Sequence, residues 1–175
     1  SLELDASYEG RSSKYNASGA GQPVRLSTGA YALPGQTFTV TVPERAAGEG
    51  LSIQIGAHSD RLWSKESIER FPQIIRRYPV NNAVIQATSA FGGPVYLLLP
   101  AGTEVGRIAL TIDQVVRAPH YQHGVTTAQE WQRQLLDYPA PWGEIEGERV
   151  AFSVLTEEAR QLEDPVALMT FWDEV

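Results

Sequence analysis

Cysteine is absent from all 175 residues, so no disulfide framework braces this chain and no thiolate carries its chemistry. That absence leaves the compartment open. Basic residues are also scarce. Fourteen Lys and Arg stand against 21 Asp and Glu, giving a net charge of -7, and nucleic acid is a poor partner for such a surface. No apolar run approaches the roughly 20 residues that span a bilayer, so no membrane span is expected. The H-E-x-x-H, G-x-S-x-G, Walker A and G-x-G-x-x-G patterns are all missing, which removes the common self-contained active sites. What is present is ordinary globular material: 42% hydrophobic and 20% charged residues, at a length that buries roughly 70% of the unfolded surface.

The order of turn and strand signals sets the expected organisation. Residues 1–23, rich in Ser, Gly, Ala and Asn from position 5 onward, read as a leading segment or linker. Between 24 and 116, short β-type runs are separated by Gly and Pro. Thr37–Val42 places Phe38, Val40 and Val42 on one face, and Leu51–Ile55 and Arg107–Ile112 alternate in the same way. Val95–Leu99 is nearly continuous apolar sequence, suited to a buried strand. These runs predict a mainly β fold, an antiparallel β-sandwich of jelly-roll type. Residues 64–78, interrupted by Pro72, predict a long excursion ending in a late strand. Residues 117–175 change character and predict a small α+β segment. Thr127 with Glu130 has the form of a capping box, residues 149–155 read as a strand, and Thr156 opens a short helix. Asp164-Pro165 opens a last helix carrying Val166, Met169 and Trp172 at three-residue spacing, as if the chain were cut inside a larger protein.

Candidate site residues are few. His58 follows a strand and is near Asp60, which suits an oriented imidazole as well as a plain loop hydrogen bond. Trp63, with Asp60 and Arg61 nearby, has the makings of a sugar-stacking platform, although a Trp plugging one end of a sandwich is the commoner case. His120 and His123, between Pro119 and Gly124, invite a metal reading. Two imidazoles fall short of the four ligands of a structural zinc site, so a surface loop is expected. Tyr121 is a second candidate stacking group, and Trp142, between Pro141 and Gly143, is expected at a domain junction. Glu144, Glu146 and Glu148 read as solvated, and Trp131 and Trp172 as core.

Several stretches together carry a family likeness. In order they are Thr28-Gly29-Ala30-Tyr31 with Pro34-Gly35, Val42-Pro43, Gln54-Ile55-Gly56-Ala57-His58-Ser59-Asp60 with Leu62-Trp63, and Arg70-Phe71-Pro72. Phe91-Gly92-Gly93-Pro94-Val95-Tyr96, Ala118-Pro119, Pro141-Trp142-Gly143-Glu144, Asp164-Pro165 and Phe171-Trp172-Asp173 continue the series. Over about residues 26–175 the chain resembles the enhancin-like, mucin-degrading zinc metallopeptidases (peptidase family M60), including the immunomodulating metalloprotease type. The resemblance implies an accessory β-sandwich followed by the start of a gluzincin-type catalytic domain. In that domain a zinc-bound water and the Glu of H-E-x-x-H cleave O-glycosylated, mucin-type glycoproteins. That motif is missing here, so no catalytic or metal residue carries over.

The expectation is therefore a noncatalytic N-terminal part of a secreted or cell-surface, bacterial hydrolase. Zinc belongs to the parent protein and no cofactor to this stretch. Its partners are the rest of its own catalytic domain and a glycan or glycoprotein. The alternatives are an independent carbohydrate-binding module, with Trp63 and Tyr121 as stacking groups, and a structural interaction domain.

Overall fold

The computed structural model describes residues 1–10, 22–59, 62–69, 71, 73–162 and 164–174. The chain folds into two compact units: Ser1–Thr28 with Ala32–Val115, and Gly29–Tyr31 with Val116–Val175.

The first unit is an antiparallel β-sandwich. One sheet has the order β1 (Leu2–Tyr8), β8 (Thr103–Asp113), β3 (Thr37–Thr41) and β6 (Val84–Thr88). The other runs β5 (Arg76–Pro79), β4 (Ser52–Ile55), β7 (Gly93–Leu99) and β2 (Val24–Ala32). The period-two reading of Thr37–Val42 holds: Phe38, Val40 and Val42 are buried, and Thr37 and Thr41 are exposed. β7 is buried along its whole length, as a strand between two neighbours should be when both of its faces are covered. The late strand after the 64–78 excursion is β5, which pairs with β4 from Ser52↔Pro79 to Ile55↔Arg76.

Composition groups residues 1–23 as a leading segment, but Leu2–Tyr8 form β1. Leu2, Leu4 and Ala6 turn inward and pair along β8 in the register Leu2↔Leu110 and Leu4↔Ile108. The Ser- and Gly-rich stretch beside this strand dominates the window and hides it. Residues 11–21 lie outside those described.

Two glycines let the second sheet close. Gly56 has φ +90° and Gly93 has φ +137°, and a Cβ on Gly93 would stand 2.7 Å from the Gly56 Cα. Only bare backbone fits that crossing. Buried Gln54 spans the same place, donating from Nε2 to the Gly56 carbonyl at 2.9 Å and accepting from Arg77 Nε at 2.8 Å.

The second unit is small and mixed. β9 (Val116–Arg117) pairs with Ala30 and Tyr31, which belong to this unit. β10 (His120–Gln122), β11 (Trp142–Glu146) and β12 (Ala151–Leu155) form a three-stranded sheet. The β10–β11 pair is parallel, so the chain must cross over between them, and α1 (Ala128–Asp137) lies in that crossover. Thr127 caps α1, its Oγ1 accepting from the Glu130 amide at 3.1 Å. Only half of the expected capping box is hydrogen-bonded in this way, because the Glu130 carboxylate is engaged by Arg133 instead. α2 (Thr156–Ala159) and α3 (Pro165–Glu174) follow, and Asp164 Oδ1 accepts from the amides of Val166 and Ala167. Tyr121, Trp131, Leu135, Ile145, Ala159 and Met169 make the core of this unit.

Candidate functional site

Polar side chains converge around the end of β10 in the second unit. β10 alternates: Tyr121 points into the core while His120 and Gln122 lie on the other face. Parallel pairing sets His120 opposite Glu144 and Gln122 opposite Glu146. The His120 ring reaches diagonally to Glu146, with Nε2 2.7 Å from Oε2, and Gln122 Nε2 lies 3.5 Å from the same oxygen. An ionised carboxylate only accepts, so the proton of this bond sits on Nε2 of His120. The imidazole beside it holds the Glu146 carboxyl below the usual range, against the opposing effect of its partial burial. The backbone of His120 is fixed as well, its amide donating to Gln134 Oε1 of α1 at 2.7 Å.

His123, one step past β10, makes a second pair. Its Nδ1 is 2.9 Å from Asp173 Oδ2 on α3, and its Nε2 faces Thr170 Oγ1 at 3.4 Å. The other Asp173 oxygen accepts the amides of Glu148 and Arg149, at 2.7 and 3.2 Å. Gly147 makes room for that carboxylate, since a Cβ there would stand 2.6 Å from Asp173 Oδ1. His123 first, and the two amides after it, hold the Asp173 carboxyl below its ordinary value, although desolvation pulls the other way. Gln122, His123, Gly124, Val125, Glu146, Gly147, Glu148 and Asp173 line an open cleft of about 430 Å³.

These positions revise several sequence-based expectations. His120 is on a strand rather than a surface loop, and both histidines are half-buried and paired with carboxylates. Glu144 is buried and accepts from Ser153 Oγ at 3.4 Å, and Glu146 is paired, so only Glu148 of the three is exposed. Tyr121 is 1% exposed and meets Trp131 edge-on at 5.7 Å, which takes it out of reach of a sugar. Its place on the inward face of β10 is the reason. Trp131 is core as expected, whereas Trp172 is 39% exposed. Trp142 is half-buried and opens β11. In the first unit Trp63 is 72% exposed and His58 is half-buried, while Asp60 lies outside the described residues. His58 and Trp63 belong to the first unit, and Tyr121 and Trp142 to the second. Asp173 escapes a sequence reading because it stands 50 residues from His123, and no local pattern reports such a pair. The alternation of Glu144 and Glu146 is the one signal available for β11.

The zinc implied by the family resemblance does not fit these side chains. Among the described residues no group of three His, Asp or Glu could hold a metal ion.

A β-sandwich followed in sequence by a small α/β unit is the architecture these elements define. The model for the N-terminal domain of M60-like peptidases matches residues 20–113, and that for peptidase M60, enhancin and enhancin-like proteins matches residues 114–175. The chain belongs to the M60-like peptidase family. TRPM8 channel-associated factor 1 of Bos taurus is 40% identical over 151 residues, covering 86% of this chain and 16% of that protein. TRPM8 channel-associated factor 2 of Homo sapiens is 35% identical over 150 residues, again 86% and 16%. The chain thus spans about a sixth of the length of these relatives. Among solved structures, the M60 catalytic domain of Clostridium perfringens ZmpC in complex with the sialyl T antigen superposes with a TM-score of 0.72. It is 12% identical, with 99% of this chain and 38% of that chain covered, a likeness of fold.

Proposed function

We propose that this chain is the noncatalytic N-terminal part of a secreted or cell-surface zinc metallopeptidase that cleaves O-glycosylated, mucin-type proteins. Its sandwich and the first elements of its peptidase domain support residues encoded elsewhere in the parent protein, which bind the zinc and activate water. The observation that carries this reading is the M60 match across residues 114–175, in a unit whose histidines are committed to structural pairs. A second observation supports it. On α3, Val166 is 49%, Phe171 58% and Trp172 39% exposed, and Phe152, Trp172 and Phe171 form an edge-to-face ladder at 5.5 Å spacings. Such an aromatic face suits burial against further peptidase-domain elements.

The reading is tested by dialysis against zinc-free buffer followed by incubation with mucin. This chain alone is expected to retain no zinc and cleave nothing, and the protein extended through its peptidase domain to do both. Stoichiometric zinc with cleavage by the short chain would overturn the assignment. A second reading, an independent carbohydrate-binding module, is favoured by the exposure of Trp63. Calorimetric titration with O-glycans separates the two. Glycan binding by the short chain that disappears in a folded Trp63→Ala variant supports the module.

A further inference from the structure

The two bonds of the His123 ring suggest a device. Nδ1 faces a carboxylate that only accepts while it is ionised, Asp173, and Nε2 faces a hydroxyl that can do either, Thr170 Oγ1. A neutral imidazole with its proton on Nδ1 donates to Asp173 and accepts from Thr170. A protonated imidazole donates to Asp173 and also to Thr170, whose hydroxyl rotates to present its lone pair. Both contacts survive in either charge state. We propose that the Thr170–His123–Asp173 chain is a charge-indifferent clamp that fastens α3 to the segment just past β10 through neutral and mildly acidic pH. It opens only when Asp173 itself takes up a proton.

The turn is built around that carboxylate. Glu148 and Arg149 supply their amides to one oxygen, His123 holds the other, and Gly147 lets α3 approach. The charged or titratable groups around the clamp are Glu146 and His120 of the neighbouring strands, Glu148 and Arg149 of the turn, and Glu174 beside Asp173 on α3. His120 and Glu146 are engaged with each other, so the acid response of Asp173 is set chiefly by its own three donors. The sign follows from the depressed carboxyl. Asp173 contributes stability that is fully present above its unfolded value, near 3.8, and that is lost as pH falls through the lower folded value.

The test is hydrogen exchange of residues 164–174, corrected for intrinsic rates, from pH 7.5 down to 2, with α1 and β11 of the same unit as the internal control for its global unfolding. The wild-type protein is expected to show α3 protection constant within about twofold from pH 7.5 to 5.5, then a loss in strong acid that precedes any loss in α1 and β11. Asp173→Asn keeps the shape of the side chain but loses its charge. It should lower α3 protection about tenfold at neutral pH, the scale of a charge-assisted hydrogen bond, and should abolish the acid step. A wild-type transition between pH 7.5 and 5.5 that follows the His123 ring signal would overturn the proposal. So would wild-type protection in Asp173→Asn. The wild-type profile stands by itself should the variant fold poorly. Neither result depends on whether the parent protein is a peptidase.

Discussion

Gly93→Ala is expected to destabilise the sandwich by about 2–6 kcal/mol, a large share of the roughly 5–15 kcal/mol that holds a domain folded. Two separate costs combine. The φ of +137° at Gly93 lies where L side chains are strained by about 1–3 kcal/mol. The new methyl would also stand 2.7 Å from the Gly56 Cα and 2.9 Å from its nitrogen, and both are backbone atoms that cannot swing aside. Overpacking of that kind costs about 1–3 kcal/mol further. Both flanking segments are tied down: the Gly56 amide donates to the Pro94 carbonyl at 2.8 Å, and Gln54 bonds the Gly56 carbonyl. Urea denaturation followed by circular dichroism measures the effect. Gly35→Ala is the comparison, because that glycine has a positive φ of +73° but open space around its Cβ position. If both variants lose equal stability, the backbone crossing is not the source.

Trp131→Ala is the second large effect, about 3–5 kcal/mol in the α/β unit. Trp131 is fully buried and is the largest side chain in that core, where it meets Tyr121 edge-on. Its removal leaves a cavity among Tyr121, Leu135, Ile145 and Met169, residues drawn from β10, α1, β11 and α3. Trp131→Phe separates packing from hydrogen bonding. Among the described residues the indole N–H of Trp131 has no partner, so replacing it with a hydrocarbon ring forfeits volume and no hydrogen bond. The phenylalanine variant is therefore expected to retain most of the stability lost by the alanine variant. Differential scanning calorimetry of the two resolves this, and equal losses would point to a polar role for the indole.

The sandwich is legible in the sequence because its strands announce themselves locally. Phe38, Val40 and Val42 alternate with threonines, and Pro and Gly mark the turns. The helices are legible through their caps, Thr127 and Asp164, whose side chains accept the amides the sequence suggests. β1 is hidden by its surroundings, and β10 and β11 by their brevity. A three-residue strand gives no period to detect, and its existence depends on a partner beyond the α1 crossover. The histidine pairs are illegible for the same reason. His123 and Asp173 are joined only because α3 returns to the β11–β12 turn, and sequence spacing carries no record of that return. Tyr121 illustrates the opposite error. An aromatic between two polar residues looks available to a ligand, while the alternation of a strand directs it inward.

The pairing of β1 with β8 bears on how the protein is made. Leu2 finds its partner at Leu110, so β1 has no β8 to pair with until more than a hundred further residues are synthesised. At about 5–20 residues per second, that wait lasts roughly 5–20 s. During it the edge formed by Leu2, Leu4 and Ala6 is open to other nascent chains, and the acidic residues between them, Glu3 and Asp5, are well placed to repel such neighbours.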